Sequence, residues 1–178
     1  MNAFFHHGRG YAHPLTPPFL MRCCLTSRFI KFLATGSGAG LAPVMPGTAG
    51  TLAGIPVYLV FSVMPWPLWL LSLLAFTALG WYIAQEAEKI YHQKDSPRIV
   101  IDEITGLQWT LLFMPPSLVG ILLGFIFFRF FDIVKVFPAN WLQRKLPGGY
   151  GIMADDIAAA LYARLALEGV NYLYGLWQ

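Results

Sequence analysis

The stretch Arg129–Asp156, RFFDIVKVFPANWLQRKLPGGYGIMADD, gathers charge in a chain that is otherwise apolar. Three of the chain's nine carboxylates and four of its twelve Lys and Arg residues lie here, and the candidate site residues among them are Asp132, Asp155, Asp156, Arg129 and Lys135. A glycine-rich segment, Gly148–Gly151, leads into the paired aspartates. Because an unpaired carboxylate is costly to bury, we expect these groups to meet cations and to form one site.

The amino-acid composition shows that the chain as a whole is unusually apolar. Hydrophobic residues make up 57% of the 178 residues and charged residues only 12%, whereas soluble domains carry roughly 45–50% and about 25%. The chain is therefore expected to be embedded in a membrane or buried against an apolar surface. The net charge of +3 favours an anionic surface or substrate, and the absence of a dense basic patch argues against nucleic-acid binding. Cys23 and Cys24 are adjacent, which predicts reduced thiols in a cytosol-facing segment.

Residues 1–27 differ from the remainder. They contain His6, His7 and His13 but no acid, and no apolar run suits a secretory signal. We predict a disordered extension whose histidines are solvated rather than metal-bound. Residues 28–178 are expected to form one helical domain.

No charged residue occurs between Phe32 and Gln85. Residues 34–51 are rich in glycine and proline and predict a loop or short helix. Residues 52–64 and 66–84 predict two helices joined by a proline-containing turn. A spanning helix needs about 20 residues, which the second helix nearly reaches, and basic residues flank both ends of the pair. A hairpin that dips into the bilayer and returns fits both observations.

A second uncharged run, Ile104–Phe128, is interrupted by Pro115 and Pro116, which end a helix. Acids precede the run, and Arg129 follows it. If these groups act together, the run must form a helical hairpin that returns the chain to the side where it began. Each of its two helices would be about 15–18 Å long. Residues 156–168 predict a further helix, with Ala154 and Asp155 placed to cap its start. With no strand-like alternation, we predict an all-α, multihelical bundle with membrane-inserted or membrane-apposed helical hairpins.

Five acids stand at the edges of the apolar segments: Asp102, Glu103, Asp132, Asp155 and Asp156. Carboxylate oxygens suit Mg²⁺, whose coordination a substrate phosphate often completes. Acids also favour helix N-termini, so capping alone is an alternative for any one of them. We expect all five to form an acidic pocket that holds Mg²⁺.

Arg129, Asp132 and Lys135 are three residues apart and would share one face of a helix. They predict phosphate binding by the two cations beside a metal-binding Asp132; a weak surface ion pair is the alternative. The segment Pro46–Thr51 offers backbone N–H groups and the hydroxyls of Thr48 and Thr51 to a phosphate. It lacks the Gly-Lys-Ser/Thr of a Walker loop, and a flexible linker explains it equally well.

Four motifs together resemble the phosphatidylglycerophosphatase A family, in order over about residues 28–168. They are Pro46–Thr51 (PGTAGT), Ile101–Gly106 (IDEITG), Phe128–Lys135 (FRFFDIVK) and Gly148–Asp156 (GGYGIMADD). One departure is visible: the family usually has proline directly after the lysine matched to Lys135, where this chain has Val136.

The resemblance implies a multihelical, Mg²⁺-dependent phosphatase of the inner membrane. It would hydrolyse phosphatidylglycerophosphate to phosphatidylglycerol and inorganic phosphate, with its site on the cytoplasmic face. Two alternatives stay open: a phosphatase of another lipid phosphate such as phosphatidate, or a non-enzymatic helical membrane protein whose acids line an ion path. Within the enzyme reading, Asp155 or Asp156 would act as general base towards water, and a covalent aspartyl-phosphate is the other route.

Overall fold

The computed structural model describes residues 17–146 and 148–175, and these ranges contain helices and connections but no strand. The all-α prediction is confirmed. The helices are α1 Pro17–Ala34, α2 Pro46–Ser62, α3 Trp66–Tyr91, α4 Ile101–Thr110, α5 Leu118–Val134, α6 Ala139–Lys145 and α7 Gly149–Tyr174, with a 3₁₀ turn at Ala39–Leu41.

The short helix α4 forms the centre of the bundle and packs against α2, α3 and α7. Two of its side chains hydrogen-bond to neighbouring helices: Gln108 Nε2 donates to the Gly54 carbonyl at 2.9 Å and Trp109 Nε1 to Thr77 Oγ1 at 3.0 Å. A side chain at Gly106 would collide with the Phe128 ring. Glycine at this position therefore lets α5 approach α4 closely.

The hairpin predicted around Pro115 and Pro116 is present. Helix α4 ends at Thr110, and α5 begins after Ser117, whose hydroxyl accepts the Gly120 N–H at 3.1 Å. The Tyr58 hydroxyl anchors the turn by donating to the Met114 carbonyl at 2.9 Å. The chain thus turns back, as the charge distribution required.

Helix α7 begins earlier than the sequence predicted. It starts at Gly149, so Asp155 and Asp156 lie inside the helix and the prediction that Asp155 caps its start is wrong. A Cβ at Gly149 would lie 2.8 Å from Gln85 N and 2.9 Å from Trp81 O. Glycine serves here as a close contact between α7 and α3, not as a turn.

The N-terminal helices also extend further than predicted. Helix α2 begins at Pro46 rather than at Leu52, and α3 continues to Tyr91. Helix α1 begins at Pro17, so residues 17–27 of the segment expected to be disordered are helical. The three histidines proposed to be solvated lie outside the described residues.

Helix α3 is, within the described residues, the one helix long and apolar enough to cross a membrane. Its 26 residues have an apolar window that is only 28% buried, so most of its side chains face outward. Large exposed hydrophobic side chains continue across α2, α3 and α5, among them Leu59, Val60, Val63, Leu71, Leu74, Leu118, Leu122 and Ile126. So many exposed apolar side chains, together with one helix able to span a membrane, are typical of contact with lipid, and we conclude that the protein associates with membranes.

Candidate metal and phosphate site

Helix α4 carries two acids in its first turn. Asp102 is 6% exposed and the Glu103 side chain 15% exposed. The positive end of the helix dipole lies at this turn and favours carboxylates. The turn is held in place by the Val100 N–H, which donates to the Ala34 carbonyl at 2.8 Å.

Helix α7 brings a third acid to the same place. Asp102, Glu103 and Asp156 each offer an oxygen atom, and these atoms all lie within 4.8 Å of one another. We call this group the acidic triad. Asp156 follows the adjacent pair Asp102 and Glu103 by more than fifty residues in the sequence, and the packing of α7 against α4 brings the three together.

The acidic triad has unused oxygen atoms. Asp102 Oδ1, Glu103 Oε2 and Asp156 Oδ2 are buried without a hydrogen-bond partner among the described residues. Burial raises the pKa of Asp102 to about 6, and burial together with the neighbouring carboxylates raises the pKa values of Glu103 and Asp156 well above their usual range. Such groups require either protons or a cation. The donor set therefore fits a metal ion.

Arg129 links the acidic triad to α5. Its Nη1 lies 2.7 Å from Asp132 Oδ2 and 4.0 Å from Glu103 Oε1, and all three side chains are at most 16% exposed. Asp132 thus lies beside Arg129, at the expected three-residue spacing. The sequence grouped Asp132 with the other four acids, whereas in the structure Asp102, Glu103 and Asp156 form the close group and Asp132 lies beside it, paired with Arg129.

Lys135 and Asp155 form a second ion pair at the edge of the site. Lys135 directly follows α5 with a left-handed backbone (φ 48°), and its Nζ lies 2.5 Å from Asp155 Oδ2. Burial lowers the pKa of Lys135, but the hydrogen bond and charge of Asp155 outweigh it and raise that pKa overall. The lysine is accordingly charged, and Asp155 Oδ1 stays without a hydrogen-bond partner among the described residues.

The start of α2 closes the site from a third side. A Cβ at Gly47 would collide with Glu103 Oε1 and lie 3.2 Å from an Arg129 nitrogen. Thr48 Oγ1 is buried without a hydrogen-bond partner among the described residues, and backbone N–H groups in the first turn of a helix are suited to anions. Thr51 differs from Thr48, because its side chain is fully buried and its hydroxyl donates a hydrogen bond to the Gly47 carbonyl at 2.9 Å.

Gly47 is a site residue that the sequence did not single out. Its motif was recognised, but the need for glycine arises from contacts with α4 and α5, which no local pattern reveals. Gly106 is the second case, because a Cβ there would collide with the Phe128 ring, which directly precedes Arg129.

Replacing Gly47 by alanine should therefore damage the site more than the fold. The added methyl group would displace Glu103 or Arg129, and we expect any catalytic activity to fall by about 100-fold, since misplacement by roughly 1 Å has this cost. Gly169→Ala is the matched control, because nothing lies within 4 Å of a Cβ there. Equal activity of the two variants would show that the Gly47 contact is unimportant.

Comparisons with known proteins agree on one family. Residues 32–171 match the family model described as phosphatidylglycerophosphatase A. The chain is 36% identical to phosphatidylglycerophosphatase A of Escherichia coli strain K12 over 144 residues, which is 80% of this chain and 81% of the relative. It is 38% identical over 145 residues to the protein of that name from Haemophilus influenzae, covering 80% and 89% of the two chains.

A third relative, from Bacteroides thetaiotaomicron, is 30% identical over 151 residues, which is 80% of this chain and 94% of the relative. It is provisionally named a phosphatidylinositol-3-phosphatase. No solved structure matches the chain.

Proposed function

We infer that this chain, which belongs to the phosphatidylglycerophosphatase A family, is a phosphatase that converts phosphatidylglycerophosphate to phosphatidylglycerol and inorganic phosphate. One observation in the structure supports this most directly. The acidic triad, whose buried oxygens lack hydrogen-bond partners among the described residues, lies beside Arg129. Carboxylates for a metal next to a cation for phosphate are the groups that phosphomonoester hydrolysis needs.

We assign the metal to Mg²⁺, held by Asp102, Glu103 and Asp156. Three carboxylate oxygens are hard ligands and leave positions for water and a phosphate oxygen. When bound, Mg²⁺ would neutralise the phosphomonoester and lower the pKa of a water molecule. Asp132 and Asp155, which the sequence also assigned to the metal, are paired with Arg129 and Lys135, and in this proposal they orient those cations.

Three donors are placed to hold the phosphate. Arg129 Nε is buried without a hydrogen-bond partner among the described residues, as is Thr48 Oγ1. Lys135 adds a flexible positive charge. These groups would stabilise the charge that develops on the phosphoryl oxygens, while Thr51 supports the Gly47 carbonyl behind them.

The reaction requires water to attack phosphorus and the bond from phosphorus to the glycerol oxygen to break. We assign the general base to Asp155, whose Oδ1 is without a partner in the described chain while Oδ2 accepts from Lys135. Asp155 would take a proton from the attacking water, and the glycerol oxygen would leave with a proton as the alcohol of phosphatidylglycerol.

We place the protein in the inner membrane with the site on its cytoplasmic face. Helix α3 supplies the candidate span, and its end at Tyr91 lies in a segment with Lys89, Lys94 and Arg98. Positive charge next to a span favours the cytoplasmic side. The lipid substrate would then reach the site from the bilayer.

Phosphate release from the purified protein tests the proposed function. Phosphatidylglycerophosphate, phosphatidate and phosphatidylinositol 3-phosphate should be compared, each with and without Mg²⁺. We expect rapid release from phosphatidylglycerophosphate and none in EDTA. Preference for either of the other two lipids would overturn the substrate assignment, and no release from any lipid with any divalent metal would overturn the enzyme assignment.

The raised carboxyl pKa values predict how the metal-free protein responds to pH. Burial raises the pKa of Asp102 from 3.8 to about 6 in the folded chain, and burial with the neighbouring carboxylates raises the pKa values of Glu103 and Asp156 well above their usual range. The protonated triad stabilises the fold fully below the unfolded pKa, and this stability is lost as pH rises through the folded pKa. In EDTA the melting temperature should therefore fall between about pH 5 and pH 8.

Saturating Mg²⁺ should remove most of that fall, because it binds the deprotonated triad. Thermal unfolding in detergent at several pH values, with EDTA or Mg²⁺, measures both effects. A melting temperature that rises with pH in EDTA would contradict the prediction.

A further inference from the structure

A cationic cavity of about 370 Å³ lies at the end of α1, apart from the acidic triad. Arg28 and Lys31 of α1, Tyr91 at the end of α3 and Arg98 of the following loop line it, and none of its lining residues is acidic. Neither Mg²⁺ binding nor the proposed chemistry uses any of these side chains. We call it the basic pocket.

The cations of the basic pocket are not needed to cap α1. Lysine and arginine often compensate the free carbonyl groups at a helix C-terminus. Here backbone N–H groups already bond those carbonyls: Thr35 to Lys31, Ser37 to Phe32, Gly36 to Leu33, Val100 to Ala34 and Gly40 to Thr35, all at 2.8–3.0 Å. The local helix chemistry therefore leaves the cations free for another anion.

Nearby acids do not neutralise these cations either. Among the described residues, Arg28, Lys31 and Arg98 form no ion pair. Glu86 is engaged by Lys89, and Glu88 accepts the Asp95 N–H at 2.8 Å. Arg28, Lys31 and Arg98 are exposed to solvent, and an anion bound among three like charges would relieve their mutual repulsion.

The basic pocket is held in shape before any ligand binds. Lys31 Nζ lies 5.4 Å and the Arg98 guanidinium 5.8 Å from the centroid of the Tyr91 ring, within the range of cation–π contact. The Arg98 backbone is fixed against the 3₁₀ turn, because any side chain at Gly40 would collide with the Arg98 carbonyl. A preformed site loses less entropy on binding.

An apolar cavity of about 460 Å³ adjoins the basic pocket. The two share Ser37, and the walls of the apolar cavity include Leu33, Val57, Phe76 and Ile104. Both volumes lie within the range of about 300–1,000 Å³ that is usual for ligand sites. A cationic pocket joined to an apolar one matches a molecule with an anionic head and a hydrocarbon chain.

We propose that these adjoining cavities bind an anionic glycerophospholipid, with its phosphodiester among Arg28, Lys31 and Arg98 and an acyl chain in the apolar cavity. A further cavity of about 430 Å³ runs from Arg98 to Pro46, the first residue of α2. This cavity shares Leu41 and Arg98 with the basic pocket, and Pro46 directly precedes Gly47 of the acidic site. The assignment rests on these cavities and does not depend on the proposed phosphatase activity.

The test is calorimetric titration of the full-length protein in detergent and EDTA, where no metal ion is available to hold a phosphate at the acidic triad. The probes are dihexanoyl phosphatidylglycerol, dihexanoyl phosphatidylcholine and inorganic phosphate. The double variant Lys31→Gln, Arg98→Gln should bind the phosphatidylglycerol at least about tenfold more weakly, since charged hydrogen bonds contribute this much or more. Lys94→Gln, an exposed lysine outside the cavity, should change its affinity less than about twofold.

The contributions of the basic pocket and of the apolar cavity to binding can be distinguished by a substitution that fills the apolar cavity. Ala53 lines it, and Ala53→Leu should weaken phosphatidylglycerol binding while leaving inorganic phosphate binding unchanged. Undiminished binding to the double variant, or equal affinity for phosphatidylcholine, would overturn the proposal. Inorganic phosphate binding as tightly as the lipid, with no effect of Ala53→Leu, would show a free-phosphate site and overturn the lipid assignment.

Discussion

Replacing Asp156 by asparagine should abolish phosphate release while making the metal-free protein more stable. Asp156 is 4% exposed, and one of its oxygens has no hydrogen-bond partner in the described chain. An amide cannot supply the negative charge that Mg²⁺ requires, so we expect turnover to fall by about three orders of magnitude, or roughly 4 kcal/mol of transition-state stabilisation. The same change removes a carboxyl group that burial and its neighbours destabilise.

Two measurements check this expectation. Phosphate release gives the loss of turnover, and thermal unfolding in EDTA at about pH 8 should give a higher melting temperature than that of the unmodified chain, with no further rise on adding Mg²⁺. Glu168→Gln is the matched control on the same helix, because Glu168 is half-exposed and its pairing with Arg164 is a surface ion pair of little energetic value. An active Asp156→Asn protein that still responds to Mg²⁺ would exclude Asp156 from the metal site.

The sequence predicted the hairpin of α4 and α5 because two constraints agreed. Pro115 and Pro116 had to interrupt the helix, and the acids before the run had to meet Arg129 after it. The structure has both features, with Glu103 Oε1 4.0 Å from Arg129 Nη1. Charge is informative in so apolar a chain, because the cost of leaving a buried charge unpaired restricts the possible folds.

The sequence did not predict where α2 and α7 begin, because glycine has two uses. Local propensity treats glycine as a helix breaker. The segment around Gly47 was therefore predicted to be a loop or short helix, and the helix after Gly149 was predicted to begin at residue 156. In the structure each glycine lies in the first turn of a helix, where any side chain would strike a neighbouring element. Close packing between helices overrode propensity, and those contacts cannot be read from a single segment.

The membership of the acidic triad was likewise only partly predictable. All three members were among the five acids named, but their spacing could not show which ones converge. That depends on how α7 packs against α4. Asp132 instead lies beside Arg129, at the spacing expected on one helix, whereas the pairing of Asp155 with Lys135 depends on how α7 packs against α5.

Replacing Arg129 by lysine should lower turnover by about 100-fold while retaining most of the stability. Arg129 contacts Asp132 through Nη1 and lies against Gly47, and its Nε has no hydrogen-bond partner among the described residues. Lysine keeps the positive charge that compensates Asp132 and Glu103. Its ammonium group lacks the planar array of N–H donors of a guanidinium, so it cannot bind the carboxylates and the phosphate at the same time. Loss of a single donor to a developing oxyanion costs about 10²–10³ in rate.

The matched control is Arg164→Lys, which makes the same change in a partly exposed arginine that pairs with Glu168. That variant should retain nearly full activity, because its ion pair lies outside the site. Two measurements, kcat and the rise in melting temperature on adding Mg²⁺, distinguish a phosphate contact of Arg129 from a purely structural role. A phosphate contact predicts that kcat falls and that Mg²⁺ still raises the melting temperature of the Arg129→Lys protein, whereas a purely structural role predicts that both are lost together with the fold. An Arg129→Lys enzyme with unchanged kcat would contradict the assignment of the guanidinium to the phosphate.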